Sequence, residues 1–419
     1  MADESIKIER VSGMLLYWIW FSELKNMTLQ QKHHLLEQFA DPEELFHSTD
    51  AACKKLGLPE AQRQVLLEKD LRGAEEIYRT CTRKGIGVLT ITDQAYPTKL
   101  RHIPDAPMVL YYKGILPDWE ETAFIGVVGT RKASAYGLQT SFQMGSQIGA
   151  GGGCVVSGGA SGADTAAMQG ALEAGQKVIG VLGCGVDVVY PRNNRKLFET
   201  VAAQGCLLSE YPPGEQPLAW HFPMRNRIIS GISNGILVVE APHKSGALIT
   251  AHRALEQGRD VFVVPGNINT ESCAGSNGLL QEGAIPVFSG WDVLREYEML
   301  YPGKLKIHKQ IPLYTGERKL GKVAQKPLSP AECADRQNDT EKKFIDNGEF
   351  STYSGLNNKQ SAVDDMQQAV LALLTREPQE PAELIAKLGA PSGKVMSVLT
   401  MLTIKGLVCK HPGGRFSLK

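Results

Sequence analysis

Apolar positions change their spacing several times along the chain, and each change marks a different kind of element. Up to about residue 80 they recur at helical intervals, in Leu15, Leu16, Ile19 and Trp20 and again in Leu35, Leu36 and Phe39. Asp41-Pro42-Glu43-Glu44 reads as a helix start, with Pro in the first turn and acids at the positive end of the dipole. The pattern predicts a small helical bundle over residues 1–80. Residues 85–114 switch to short β-rich runs broken at Tyr96-Pro97 and Asp105-Ala106-Pro107, which read as extended strands leading into the main domain.

From Ala123 to Glu298, runs rich in Val, Ile and Leu alternate with helical stretches. The expected strands are Phe124–Val128, Cys154–Ser157, Lys177–Leu182, Cys206–Tyr211, Ile236–Glu240, Asp260–Val264 and Pro286–Phe288. Ala135–Ala150, Ala163–Ala174, Asn193–Ala203 and Ala247–Gln257 are the expected helices between them. Strands apolar on both faces predict an α/β domain over 81–298, with its core at 123–298: a mainly parallel sheet with helices on both faces. Residues 299–361 lose periodicity, and between Lys304 and Lys326 the only acid is Glu317, so a flexible basic linker is expected. Residues 362–419 regain order. Helical patterns at Met366–Thr375, Glu380–Leu388 and Pro391–Lys405, then a hairpin around Pro412-Gly413-Gly414, predict a winged helix. Its third helix carries only Lys394 and Lys405 among Met, Val and Leu, which favours protein docking over reading DNA.

A parallel sheet places its ligand beyond the carboxyl ends of the strands. Within Gly126–Asp164 two strands empty into glycine turns just before helices, Gly129-Thr130-Arg131 and Ser157–Gly162. Such turns let backbone N–H groups approach a ligand, and the following helix N-terminus favours anions. Composition narrows the choice of anion. Lys and Arg total 45, as do Asp and Glu, so a polyanion must be held at a local site rather than by bulk charge. The eight cysteines are scattered without a C-x-x-C pair, which suits a reducing compartment and argues against zinc. Met14–Phe21 is too short to span a bilayer, and a cytoplasmic protein without membrane contact is expected.

Small-molecule motifs fail in turn. No G-x-G-x-x-G follows the first strand, and no P-loop occurs. The one G-x-S-x-G, Gly231–Gly235, precedes its strand where a nucleophile elbow follows one. His221, His243, His252, Asp164, Asp187 and Glu240 are expected to cap helices or satisfy loop backbone rather than form an acid–base site. Met224-Arg225-Asn226-Arg227 reads as a basic helix start, whose arginines can fork onto phosphate oxygens. Lys244-Ser245-Gly246-Ala247-Leu248-Ile249-Thr250 adds a cation, a glycine turn and two hydroxyls, groups that position a phosphate backbone without reading sequence.

These residues resemble the bacterial DNA-processing protein A family, the DNA-protecting proteins. The likeness runs through GTRKASAYG (129–137), VVSGGASGAD (155–164), GVDVVYPRNN (185–194), SEYPPGEQP (209–217), FPMRNRIISGIS (222–233), VVEAPHKSGALITAHRALEQGR (238–259) and FVVPGNI (262–268). The resemblance implies an extended Rossmann-like domain that binds single-stranded DNA, usually as a homodimer. It also implies protection of incoming DNA and loading of the RecA recombinase during natural transformation, with no catalysis and no cofactor or metal. A sterile-alpha-motif-like bundle at the N-terminus and a winged helix at the C-terminus fit the family as well. Carried over onto this chain, the DNA-contacting set is Arg131 with Lys132 beside it, Gly158, Gly159, Ala160, Gly162, Arg192, Arg225, Asn226, Arg227, Lys244, Ser245, Gly246 and Thr250. Among the sheet-end turns only Tyr136, Tyr190, Tyr211 and Phe222 offer rings for stacking, so backbone-dominated, sequence-tolerant binding is expected. The rival is a nucleotide enzyme such as a nucleoside-monophosphate phosphoribohydrolase. It requires a P-G-G-x-G-T-x-x-E turn, whereas here His252 and Arg253 stand where its acid belongs.

Overall fold

The computed structural model describes residues 2–307 and, in the C-terminal unit, 368–375, 377, 379–390, 395, 398–399, 402, 408–411 and 415–418. The first unit opens with six helices, α1 (Ala2–Glu23), α2 (Leu29–Gln38), α3 (Pro42–His47), α4 (Asp50–Lys55), α5 (Glu60–Leu67) and α6 (Arg72–Lys84). Local chemistry sets their starts. Thr28 and Gln31 form a reciprocal capping box on α2, and Asp41 caps α3 with Pro42 as its first residue. Trp18, Ile19, Phe21, Leu35, Leu45 and Leu66 form the bundle's core, which closes over Met108, Val109 and Tyr111.

The sheet comprises β1 (Gly87–Thr90), β2 (Val109–Gly114), β3 (Phe124–Val128), β4 (Cys154–Ser157), β5 (Val178–Val181), β6 (Cys206–Ser209), β7 (Gly235–Val238), β8 (Asp260–Val263) and β9 (Ile285–Pro286). Their spatial order is β1-β2-β6-β5-β4-β3-β7-β8-β9. From β6 across to β9 every pairing is parallel, while β2 joins β6, and β1 joins β2, antiparallel. The expected entry strands, with the short helix α7 (Thr98–Arg101) between them, thus extend the main sheet. Alternate residues of one strand feed two cores. Phe124 and Val128 belong to the cluster under α11 (His221–Ile232) and α12 (Gly246–Glu256), whereas Ile125 and Val127 face α8 (Ala135–Ala150), α9 (Ala163–Glu173) and α10 (Arg195–Gln204). After β6 the chain returns to the other side of β3 with β7, so the strand order reverses between β3 and β7.

Three expectations shift. The last strand is Ile285–Pro286, and Phe288 lies beyond it, exposed. A helix over Glu271–Gln281 has no counterpart in the apolar pattern, because ESCAGSNGLLQ carries no stripe. The packed domain also runs past 299: Tyr301 is buried in the core, Leu305 and Ile307 pack against it, and Lys306 N–H donates to the Gly151 carbonyl at 2.9 Å. The remainder of the expected linker, 308–361, lies outside the described residues, as do Lys394 and Lys405.

In the C-terminal unit, helix Pro381–Leu388 ends on Gly389 in the left-handed region. Strands β10 (Val408–His411) and β11 (Arg415–Leu418) pair antiparallel, with Val408 opposite Leu418, and share an apolar core with Val370, Leu384, Leu399 and Phe416.

Candidate nucleic-acid interface

The loops after β3 and β7 meet at the point where the strand order reverses. The first begins with Gly129 and is tied down along its length. Thr130 N–H donates to the Glu240 carbonyl at 2.7 Å, and Ser134 donates both N–H (3.0 Å) and hydroxyl (3.1 Å) to Glu240 Oε2. Ser134 Oγ in turn caps α8 by accepting from Gly137 N–H. Glu240 is buried and thus satisfies loop backbone, as expected of it. The second glycine turn locks onto the first: Ala163 N–H donates to the Thr130 carbonyl. Gly162, at φ +87°, passes so close that a Cβ would sit 2.4 Å from the same carbonyl oxygen.

The structure corrects the role of this second turn. Gly158 and Gly159 are buried, and a Cβ on them would strike Arg225 and Phe198 respectively. These glycines, like Gly162, serve the packing of protein on protein; of this turn, Ala160 and not the glycines lines the cleft. A local sequence cannot tell a glycine needed for a ligand from one needed for a neighbouring side chain.

Between the turns opens a cleft of about 410 Å³. Arg131, Lys132, Ala160, Arg225, Asn226, Lys244, Ser245, Gly246 and Thr250 of the expected set line it. Arg131, Lys132 and Lys244 are exposed, and none has a side-chain hydrogen bond or ion pair among the described residues. The Arg131 guanidinium lies over the Phe222 ring, 5.1 Å from its centroid. The N-terminus of the eleven-residue helix α12 opens into the same space through Gly246. Ser245 caps it by accepting from Ala247 N–H, and Thr250 donates to the Gly246 carbonyl. Both hydroxyls are therefore engaged in holding the turn.

The basic cluster on α11 departs from expectation. The helix starts at His221, with Pro223 in its first turn where the N–H is unneeded, so Arg225 and Arg227 sit in the second turn. Arg225 is only 4% exposed and donates to the carbonyls of Gly158 (2.9 Å) and Val181. Burial pushes its guanidinium down to about 10, against the opposing pull of nearby Asp164. Burial likewise raises the Asp164 carboxyl, with Arg225 pulling the other way. Asn226 donates to the Gly246 carbonyl at 3.3 Å, bracing α11 against α12. Arg227 is 1% exposed and faces away from the cleft, forked onto Glu210 at 3.2 and 2.6 Å and 3.4 Å from Asp105. Its charge is matched by these two carboxylates. Arg192 is exposed but outside the cleft, on a short turn that Asn194 pins to the Gly159 carbonyl at 2.9 Å.

Ala219, Phe222, Pro223 and Ile249 give the same cleft an apolar part to its lining. Phe222 also lies 5.5 Å from the half-exposed ring of Tyr190. Sequence reasoning named Phe222 and Tyr190 as possible stacking rings but did not place Ile249 in the same cleft as Phe222, since the two come from different helices.

Residues 87–298 match the model of DNA recombination-mediator protein A, and 357–414 match that of the DprA winged helix domain. The chain is 47% identical over 213 residues to the DNA processing protein DprA of Streptococcus pneumoniae, spanning 50% of this chain and 73% of that protein. It is 31% identical over 408 residues to protein Smf of Synechocystis sp., spanning 96% and 98%. The X-ray structure of DNA processing protein A from Streptococcus pneumoniae superposes with a TM-score of 0.60 at 38% identity, covering 67% of this chain and 97% of that one. By the match of residues 87–298 and by these identities, the chain belongs to the DNA recombination-mediator protein A family.

Proposed function

We propose that this protein binds single-stranded DNA across the carboxyl end of its sheet and passes it to the RecA recombinase, acting in the cytoplasm as a homodimer and without catalysis. The Streptococcus pneumoniae relative is named a DNA processing protein. One observation carries the reading: three exposed cations, Arg131, Lys132 and Lys244, border one cleft that also has apolar lining and a helix N-terminus. Unpaired cations take phosphates, and apolar lining takes base faces that a duplex keeps stacked.

Fluorescence anisotropy with single- and double-stranded oligonucleotides tests this, on wild type and on Arg131→Ala/Lys244→Ala. Wild type is expected to prefer the single strand. The double variant is expected to lower the slope of log affinity against log salt by about 0.7 for each cation lost. Duplex preference, or equal binding and slope in the variant, would sink the reading. Release of base from a nucleoside monophosphate would favour the enzyme instead.

A further inference from the structure

Trp220 is the least buried tryptophan whose side chain the structure describes, 60% exposed, and it directly follows a residue of the cleft lining, Ala219. Phe222, two positions after it, lines the cleft as well. The residue is not a loose surface side chain. Its ring meets His221 edge-on at 4.1 Å, and His221 stacks on Tyr211 at 3.8 Å. The His221 ring is fixed in turn, 1% exposed, with Nδ1 at 3.1 Å from the Gly183 carbonyl. Trp220 thus rests on a buried aromatic stack anchored to the loop after β5, and presents an indole face to solvent.

We infer that Trp220 is a nucleobase platform: one unpaired base of the strand whose phosphates lie along Arg131, Lys132 and Lys244 stacks on its indole. The inference rests on the single-strand reading above and goes beyond it. A phosphate chain held by the cations leaves its bases to find cover, and the apolar lining residues Ala219, Phe222 and Pro223 lie within three positions of Trp220 in the chain. A ring already immobilised loses little rotamer freedom on stacking, so the gain is retained as affinity. Binding then involves base faces as well as phosphates, unlike the backbone-dominated mode that the motifs suggest.

The test compares the full-length wild type, Trp220→Ala, Trp220→Phe and Arg131→Ala on an oligothymidylate and on an abasic strand of equal length. Trp220→Ala is expected to weaken oligothymidylate binding about 5- to 150-fold while leaving abasic binding unchanged. Trp220→Phe is expected to restore most of the loss. Arg131→Ala is expected to weaken both strands alike. Adding oligothymidylate is expected to quench more tryptophan emission in wild type than in Trp220→Phe. The inference is overturned if Trp220→Ala binds oligothymidylate as wild type does, or loses both strands equally. A changed oligomeric state with unchanged strand affinity also overturns it, and points to a protein contact. If wild type binds neither strand, the single-strand reading itself fails, and that outcome is distinct from these.

Discussion

Arg225 and Arg227 stand two positions apart on one helix, and neither resembles Arg131 in what surrounds its charge. Arg131 is solvated and free of ion pairs, so its replacement by Ala should change stability by no more than about 0.5 kcal/mol. Arg227 is enclosed with Glu210 and Asp105. Arg227→Ala leaves a largely buried carboxylate without its partner, a loss of about 3–5 kcal/mol. Urea denaturation should show this, while the protein that remains folded keeps the wild-type salt slope for strand binding, because no cleft cation is removed. Asp187 gives a pH signature. Burial pulls its carboxyl up, but Lys84 and the Gly214 N–H outweigh burial and hold it below the usual carboxylate value. A depressed folded-state value means the contact stabilises above about pH 4 and is lost as pH falls through the folded value. Lys84→Met should therefore lower stability at neutral pH and narrow its gap to wild type in acid, measured by thermal melts across pH 2–6.

At the scale of elements, the loop carrying Arg131 depends on a residue from another strand's end. Glu240 accepts two hydrogen bonds from Ser134, and its backbone carbonyl accepts a third from Thr130. Glu240→Ala should lower stability by about 1–3 kcal/mol, since Ser134 loses a charged acceptor. It should also weaken strand binding while leaving the salt slope intact, because the cations remain but their loop is no longer held. A reduced slope would instead assign Glu240 a more direct effect on the cations. The strands were legible because Phe124–Val128 and its neighbours are apolar at every position, which only a doubly covered sheet requires. Glu271–Gln281 was not legible, because its few buried residues, Cys273, Gly275, Ser276 and Leu279, include small ones that carry no hydrophobic signal. The glycine turns were found in the right place but assigned to a ligand. Their true neighbours, Arg225, Phe198 and the Thr130 carbonyl, come from elsewhere in the chain. The same limit hid the burial of Arg227, whose partners Asp105 and Glu210 lie on separate segments.

Across the first unit, the cleft is cross-braced before any ligand arrives. Arg225 joins α11 to the carbonyls after β4 and at the end of β5, Asn226 joins it to α12, and Glu240 holds the first turn. These ties have a thermodynamic consequence for partition of entropy. The protein walls have little disorder to give up on binding, so the ordering falls mainly on the strand. Amide hydrogen exchange at Thr130, Ser134, Ala247 and Leu248, whose N–H groups are already donated, should be slow in the free protein and change little when a strand is added. Strands stiffened before binding should gain affinity in proportion to the disorder they no longer lose.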